Sequence, residues 1–239
     1  MHHAVNLQQD QTVTPNPVLL VHGFASSFAL NWQESGLSFL LEDAGREVIG
    51  VDLLGHGTAP KPHDPAAYAD LGARVVDVLP AEGKVDAIGF SMGARTLIEV
   101  TSAHPDRFDR VIFAGVGDNL FAEGDREPIA HAIETGDGGP GGIAALFVNF
   151  AGGSGNDPKA LAACMRRNEP PITEAQLARI TSPSLVILGD KDFVGSGERL
   201  ANALPDSTLK VLRNVEHFAT PKDYGFIDAC LEFLGAVPV

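Results

Sequence analysis

The stretch Asp86-Ala-Ile-Gly-Phe-Ser-Met-Gly-Ala-Arg95 constrains the fold of this chain more than any other. Val85 to Gly89 reads as a short buried strand. From Met92 to Ala103 apolar residues fall at helical spacing. Between the two sits Gly89-Phe-Ser-Met-Gly93, a G-x-S-x-G match in the strand–turn–helix setting that gives the motif meaning. The turn must be sharp, so Ser91 is expected in a strained backbone conformation at the strand tip, beside the positive end of a helix. A Cβ at position 89 or 93 would collide with the neighbouring strand or helix, which accounts for the two glycines. In a chain with 26 glycines the pentapeptide also arises by chance, so its significance rests on this setting and on partners elsewhere.

The neighbouring sequence repeats the same rhythm. Val18-Leu-Leu-Val21 is continuously apolar, as in a strand covered on both faces, and ends at His22-Gly23-Phe24. Helical spacing follows from Trp32 to Glu42, then a strand over 47–51 closing at Asp52-Leu-Leu-Gly-His-Gly57, then a helix pattern from Tyr68 to Leu79. After the Ser91 unit comes a strand at Arg110–Gly115. Strands return at Ser184–Gly189 and Thr208–Leu212, and a helix from Tyr224 to Leu234 closes the chain. Such alternation, with crossovers long enough for parallel pairing, predicts an α/β fold with a mostly parallel doubly wound sheet. Residues 1–16 are polar with scattered apolar positions and fit an edge strand.

Between Asp118 and Ser182 the rhythm breaks. This stretch carries helical pieces separated by the Gly-rich joints 136–142 and 152–155. The expected organisation is a core of residues 1–117 and 183–239, with a small helical cap inserted over 118–182. Gly-rich joints suit a cap that moves as a gate; a rigid helical flank is the plainer alternative.

A chain of 239 residues suits one such core without disulfide or metal support. The net charge of −14 speaks against nucleic acid or an anionic membrane surface as partner. Cys164 and Cys230 lack metal-ligand spacing. No run reaches membrane-spanning length and the first residues do not form a secretory signal, so a cytoplasmic location is expected.

The chemistry follows from what Ser91 needs. A serine hydroxyl requires a base to take its proton and a third group to orient that base. In a parallel sheet the carboxyl ends of the strands gather at one rim, where ligands bind. His217 follows the strand at 208–212 after a short loop and is the candidate base. The acid is sought at another strand end: Asp190 and Asp192 both follow Ser184–Gly189, with Asp192 better placed to reach across and Asp118 a further alternative. Negative charge on a tetrahedral intermediate needs two N–H donors, and the N–H groups of Met92 and Phe24 are the candidates.

Taken together, His22-Gly23-Phe24, Asp52 to Gly57, Gly89 to Gly93, and Gly189-Asp-Lys-Asp192 followed by His217 resemble the α/β-hydrolase fold family over nearly the whole chain. The resemblance implies Ser91 as nucleophile, Asp192 as acid, His217 as base, and Phe24 and Met92 as the oxyanion hole. It implies supporting roles for His22 and His56. Ser91 sets the chain apart from relatives that use an aspartate nucleophile. What remains is a serine hydrolase acting on small to medium apolar carboxylic esters, without metal or other cofactor. The alternatives are a carbon–carbon bond hydrolase, a cofactor-free haloperoxidase or perhydrolase, and a non-catalytic ligand-binding scaffold. A small molecule is the expected partner, and Leu146, Phe147 and Phe150 of the cap are expected to line its site.

Overall fold

The computed structural model describes residues 15–237. The edge strand expected before Pro15 lies outside the described residues. Six strands form one sheet: β1 (Val18–Val21), β2 (Val48–Val51), β3 (Val85–Phe90), β4 (Phe108–Ala114), β5 (Ser184–Gly189) and β6 (Ser207–Leu212). Their order is β2-β1-β3-β4-β5-β6, and every pairing is parallel. β1, β3 and β5 are buried along their whole length, as the continuous apolar run of β1 foretold for that strand.

Alternate residues of each strand feed two cores, one per face. Leu19 and Val21 pack on one side with Leu97 and Val75, while Val18 and Leu20 pack on the other with Leu41 and Phe226. The helices divide accordingly. α1 (Leu37–Asp43) and α9 (Tyr224–Leu234) cover the second face. α2 (Ala73–Asp77), α3 (Met92–Ala103) and α8 (Glu198–Ala203) cover the first. The chain goes from β1 to β2 on one side, then crosses to β3 on the other. The carboxyl ends of β1 and β3 therefore flank the point where strand order reverses, where open α/β sheets bind ligands.

Two expected helices are broken. The pattern from Trp32 to Glu42 folds as a turn at Ala29–Gln33 and then α1, interrupted by Gly36 at φ 83°. Trp32 keeps its apolar role there, fully buried and stacked on Phe226 at 6.4 Å. The pattern from Tyr68 to Leu79 folds as a turn at Pro65–Tyr68 followed by α2. Asp64 caps that turn by accepting the Ala66 N–H, so the local hydrogen bond competes with helix extension.

Between β4 and β5 lie α4 (Glu127–Thr135), α5 (Gly142–Gly153), α6 (Pro158–Met165) and α7 (Glu174–Leu177), with no strand among them. Ile133, Leu161, Met165 and Leu177 join the same apolar cluster as Met92 and Leu97 of α3. Asn156 donates to the Ser26 carbonyl at 3.1 Å and accepts the Gly57 N–H at 2.8 Å, fastening the segment to two loops of the sheet. Both Gly-rich joints lie inside the segment and bracket α5, of which only Ala151 is buried. Among the described residues, no helix is long and apolar enough to cross a membrane.

At the opposite rim, Arg46 ties four elements together. Its Nε and Nη1 donate to the carbonyls of Asn16 at 2.9 Å and Leu234 at 3.0 Å, and its Nη2 to the Asp86 carboxylate. Asp86 also accepts the Arg110 N–H at 3.0 Å. The two side chains are 5% and 4% exposed, so neither charge has a solvent alternative. Burial raises the Asp86 pKa, opposed by the guanidinium beside it. Arg46→Ala leaves that carboxylate buried without its partner and is expected to cost about 3–5 kcal/mol. Urea unfolding monitored by circular dichroism measures it; a loss under about 1 kcal/mol would show the pair to be dispensable.

Candidate active site

Ser91 holds φ 53° and ψ −114°, a region L-residues rarely enter, at a cost of about 1–3 kcal/mol. It is held there from both sides. Its N–H donates to the Ala114 carbonyl at 2.8 Å, and α3 starts at the next residue. The flanking glycines explain how the turn can be so tight. A Cβ on Gly93 would stand 2.3 Å from the Val21 carbonyl oxygen, and one on Gly89 would stand 2.6 Å from the Gly93 oxygen. Helix α3 thus packs backbone to backbone on the end of β1. The Met92 N–H opens this helix and has no intrahelical acceptor.

The imidazole arrives from the other side of the crevice. A Cβ on Gly189 would lie 1.9 Å from the Val215 carbonyl oxygen, so the loop after β6 runs directly over the end of β5. That path carries His217 to Ser91. The Ser91 hydroxyl lies 2.9 Å from His217 Nε2, and His217 Nδ1 lies 2.9 Å from both Asp192 carboxylate oxygens. With Nδ1–H donating to Asp192, Nε2 is left to accept from the hydroxyl. The His217 and Asp192 side chains are 4% and 0% exposed, and Phe90 and Phe193 pack against the ring at 4.9 and 4.4 Å.

The two alternative carboxylates are occupied elsewhere. Asp190 accepts the Asn214 N–H at 2.7 Å, joining the loops after β5 and β6. Asp118 accepts the Ser196 N–H at 2.9 Å and secures the turn beyond Asp192.

The loop after β1 presses on the same turn. A Cβ on Gly23 would meet the Phe90 ring at 2.8 Å, and Phe24 lines one cleft with Ser91 and Met92. Asn31 accepts the Gly23 N–H at 2.8 Å. His22 donates from Nδ1 to the Gly23 carbonyl at 2.7 Å and accepts the Leu53 N–H at Nε2 at 3.0 Å, which fixes its neutral tautomer. His56 donates to the Leu54 carbonyl at 2.9 Å and packs its ring between His22 and Phe24, at 5.3 and 5.5 Å. Asp52 anchors the turn by accepting the N–H groups of Phe28 and Thr58 at 2.8 and 2.7 Å. His22 and His56 therefore sit behind the Phe24 loop and do not line the cleft at Ser91.

The cleft holds about 210 Å³. Leu120, Ile129, Ile143, Phe147 and Met165 form its apolar wall, and Phe193 stands at its edge beside His217. Of the three residues expected here from α5, Phe147 is in place. It meets Phe24 at 5.8 Å and Phe193 at 6.1 Å. Leu146 and Phe150 are not in the cleft. Leu146 is 49% exposed over the Gly-rich joint. Phe150 stacks on Phe218 at 4.5 Å and lines a separate groove with Ser26. One helical residue is a rotation of about 100°, so Ile143 and Phe147, four apart, share the cleft face that Leu146 misses. That spacing was available in the sequence. Arg95, Arg126, Arg167 and Glu169 also reach the cleft, and no motif marks them. Among the described residues, no group of three or more His, Cys, Asp or Glu side chains is placed to hold a metal ion.

His22 and His56 are both fully buried. Burial lowers both pKa values; for His56, with the neighbouring His22 adding to it, the value falls to about 3. In the unfolded chain both titrate near about 6.5. As pH falls below that value the unfolded state binds protons that the folded state refuses, so stability is lost on acidification. The slope approaches about 1.4 kcal/mol per pH unit for each histidine. Urea midpoints at neutral and mildly acidic pH should fall accordingly, and His56→Gln should flatten the slope. An unchanged slope in that variant would contradict the assignment.

A family model described as the alpha/beta hydrolase fold matches residues 16–130. Esterase YbfF of Escherichia coli K12 is 31% identical over 102 residues, a match spanning 41% of this chain and 37% of that protein. Among solved structures, the enol-lactonase of Burkholderia xenovorans LB400 superposes with a TM-score of 0.74 at 18% identity, covering 95% of this chain and 94% of that one. A thermophilic esterase from Thermogutta terrifontis gives 0.71 at 20% identity, covering 95% and 92%. A bromoperoxidase from Bacillus anthracis gives 0.68 at 23% identity, covering 93% and 92%. With its parallel six-stranded sheet and its tight turn at Ser91, the chain has the α/β-hydrolase fold.

Proposed function

We propose that this protein is a serine hydrolase that cleaves carboxylic esters through an acyl-enzyme on Ser91. The observation that carries this reading is the unbroken hydrogen-bonded path from Ser91 Oγ through His217 to Asp192, each step 2.9 Å, at the rim of an apolar cleft. Ser91 Oγ attacks the ester carbonyl while His217 Nε2 takes its proton. Asp192 keeps the imidazole in the right tautomer and stabilises the imidazolium. The N–H groups of Met92 and Phe24 receive the developing oxyanion. His217 then hands its proton to the departing alcohol. Water, deprotonated by the same imidazole, releases the acid and restores Ser91. The similarity to esterase YbfF supports the ester as the bond cleaved. The cleft volume and its carbon-rich wall favour a small to medium acyl group with apolar character next to the carbonyl. Residues 118–182 act as a cap in this reading, with α5 as the part best able to yield when substrate enters.

A fluorophosphonate probe should label Ser91, located by peptide mass spectrometry. Hydrolysis of p-nitrophenyl butyrate should vanish in Ser91→Ala. Asp192→Asn should retain the fold while kcat drops by about 10⁴-fold, because the wrong imidazole tautomer then faces the hydroxyl. Full turnover in Asp192→Asn, or labelling at another serine, would refute the assignment.

A further inference from the structure

One part of the cleft wall is charged. Arg95 stands one turn beyond Ser91 on α3, Arg126 precedes α4, and Arg167 and Glu169 follow α6. All three guanidinium groups converge on Glu169. Its Oε1 meets Arg126 Nη2 and lies 3.3 Å from Arg95 Nε, and its Oε2 meets Arg167 Nη2. The Arg95, Arg167 and Glu169 side chains are 8%, 8% and 9% exposed. Glu99 lies 3.3 Å from Arg95 Nε, but its side chain is 40% exposed and it lines a different groove.

The charges in the cleft do not balance. Three guanidinium groups face one enclosed carboxylate and the partly exposed Glu99, and Arg95 Nε is buried 3.3 Å from an oxygen of each without good hydrogen-bond geometry to either. Arginine cannot shed its proton to relieve this. The shortfall is not one of supply, since the chain has 31 acidic residues against 17 basic ones. In a protein of this sign, a cationic surplus enclosed beside the candidate nucleophile has the chemistry of a receptor for an anion. Planar guanidinium groups match a carboxylate in particular, with paired donors at fixed spacing.

We infer that Arg95, Arg126 and Arg167 form an anion subsite, and that the acyl group of the substrate ends in a carboxylate. The inference rests on Ser91 as the acylated residue. Arg95 lies four positions after Ser91, a rise of about 6 Å along the helix axis, and the apolar side chains of Met92, Ile129 and Met165 line the same space. A methylene chain fits between the two ends. The substrate class is thus the monoester of a short dicarboxylic acid, with the free carboxylate on the arginines and the ester at Ser91.

The test compares monomethyl esters of succinic to pimelic acid with the methyl esters of monocarboxylic acids of equal length, by pH-stat titration. For at least one length, kcat/KM for the anionic ester should exceed that for its neutral counterpart by tenfold or more. In Arg126→Gln that ratio should fall at least tenfold, through KM, and Arg126→Lys should restore part of it. Arg126 is chosen because its side chain is 30% exposed and the fold tolerates change there better than at Arg95. In parallel, calorimetry on Ser91→Ala with the same monoesters reads the subsite without turnover. Binding that weakens in Ser91→Ala/Arg126→Gln, while neither ester class is hydrolysed by the unmodified protein, sustains the subsite and sinks the esterase reading. Hydrolysis of the neutral esters with no preference for any anionic one, or a preference indifferent to Arg126, overturns the subsite and leaves the esterase reading intact.

Discussion

The rim of this molecule depends on how closely helix α3 approaches the end of β1. The Gly93 backbone lies where a Cβ would be 2.3 Å from the Val21 carbonyl oxygen and 2.5 Å from that of His22. Any side chain at position 93 would lift the helix, open the turn at Ser91 and move the Met92 N–H away from the Phe24 loop. A second approach of the same kind, Gly189 under Val215, brings the other half of the site across. The hydroxyl and the imidazole meet because two pairs of backbone segments touch where side chains would keep them apart. The strain at Ser91 is sustained by this packing, and relaxing it would remove the hydroxyl from the reach of His217.

Much of this was legible in the sequence, for physical reasons. The strands at 18–21, 85–90 and 184–189 are buried along their length, so they read as apolar stretches, continuous at 18–21 and broken at 85–90 only by Asp86, which Arg46 pairs. Ser91, Asp192 and His217 follow strands, and parallel pairing brings those strand ends to one rim. What local pattern conveyed poorly is how long a helix runs. Trp32 and the residues of α1 share one apolar stripe, yet Gly36 turns the chain between them. The rotation of α5 was equally hidden. Its apolar residues lie on several sides, and contacts with Phe24, Phe193 and Phe218 decide that Phe147 faces the cleft.

The arginine cluster was invisible for a different reason. Arg95, Arg126, Arg167 and Glu169 span 75 residues and belong to separate helices and loops. Each taken alone looks like a solvated surface charge. Only the packing of the 118–182 segment on α3 encloses them together. The hydroxyl–imidazole–carboxylate trio lies on elements of the sheet, whereas the cleft that a ligand would meet is shared between α3 and the inserted segment. In the proposed reading chemistry and selection rest on different parts of the chain, and Arg95, on the helix that begins beside Ser91, joins them.

The balance within that cluster favours selection over stability as its reason for being. A buried ion pair is seldom better for folding than apolar side chains of the same volume. If the cluster served only to attach the segment, matched charges or carbon would serve better than three guanidinium groups around Glu169 and the partly exposed Glu99. Glu169 compensates enough charge to hold the three side chains in place without filling their donor capacity. Arranged in advance, they lose little freedom when an anion arrives. An arginine replaced by leucine would improve the packing argument and remove the feature that lets a cleft rich in carbon distinguish a charged chain end from a neutral one. The same carbon wall shields Arg95 and Arg167 from water, which strengthens their attraction for a carboxylate that has already shed its own hydration.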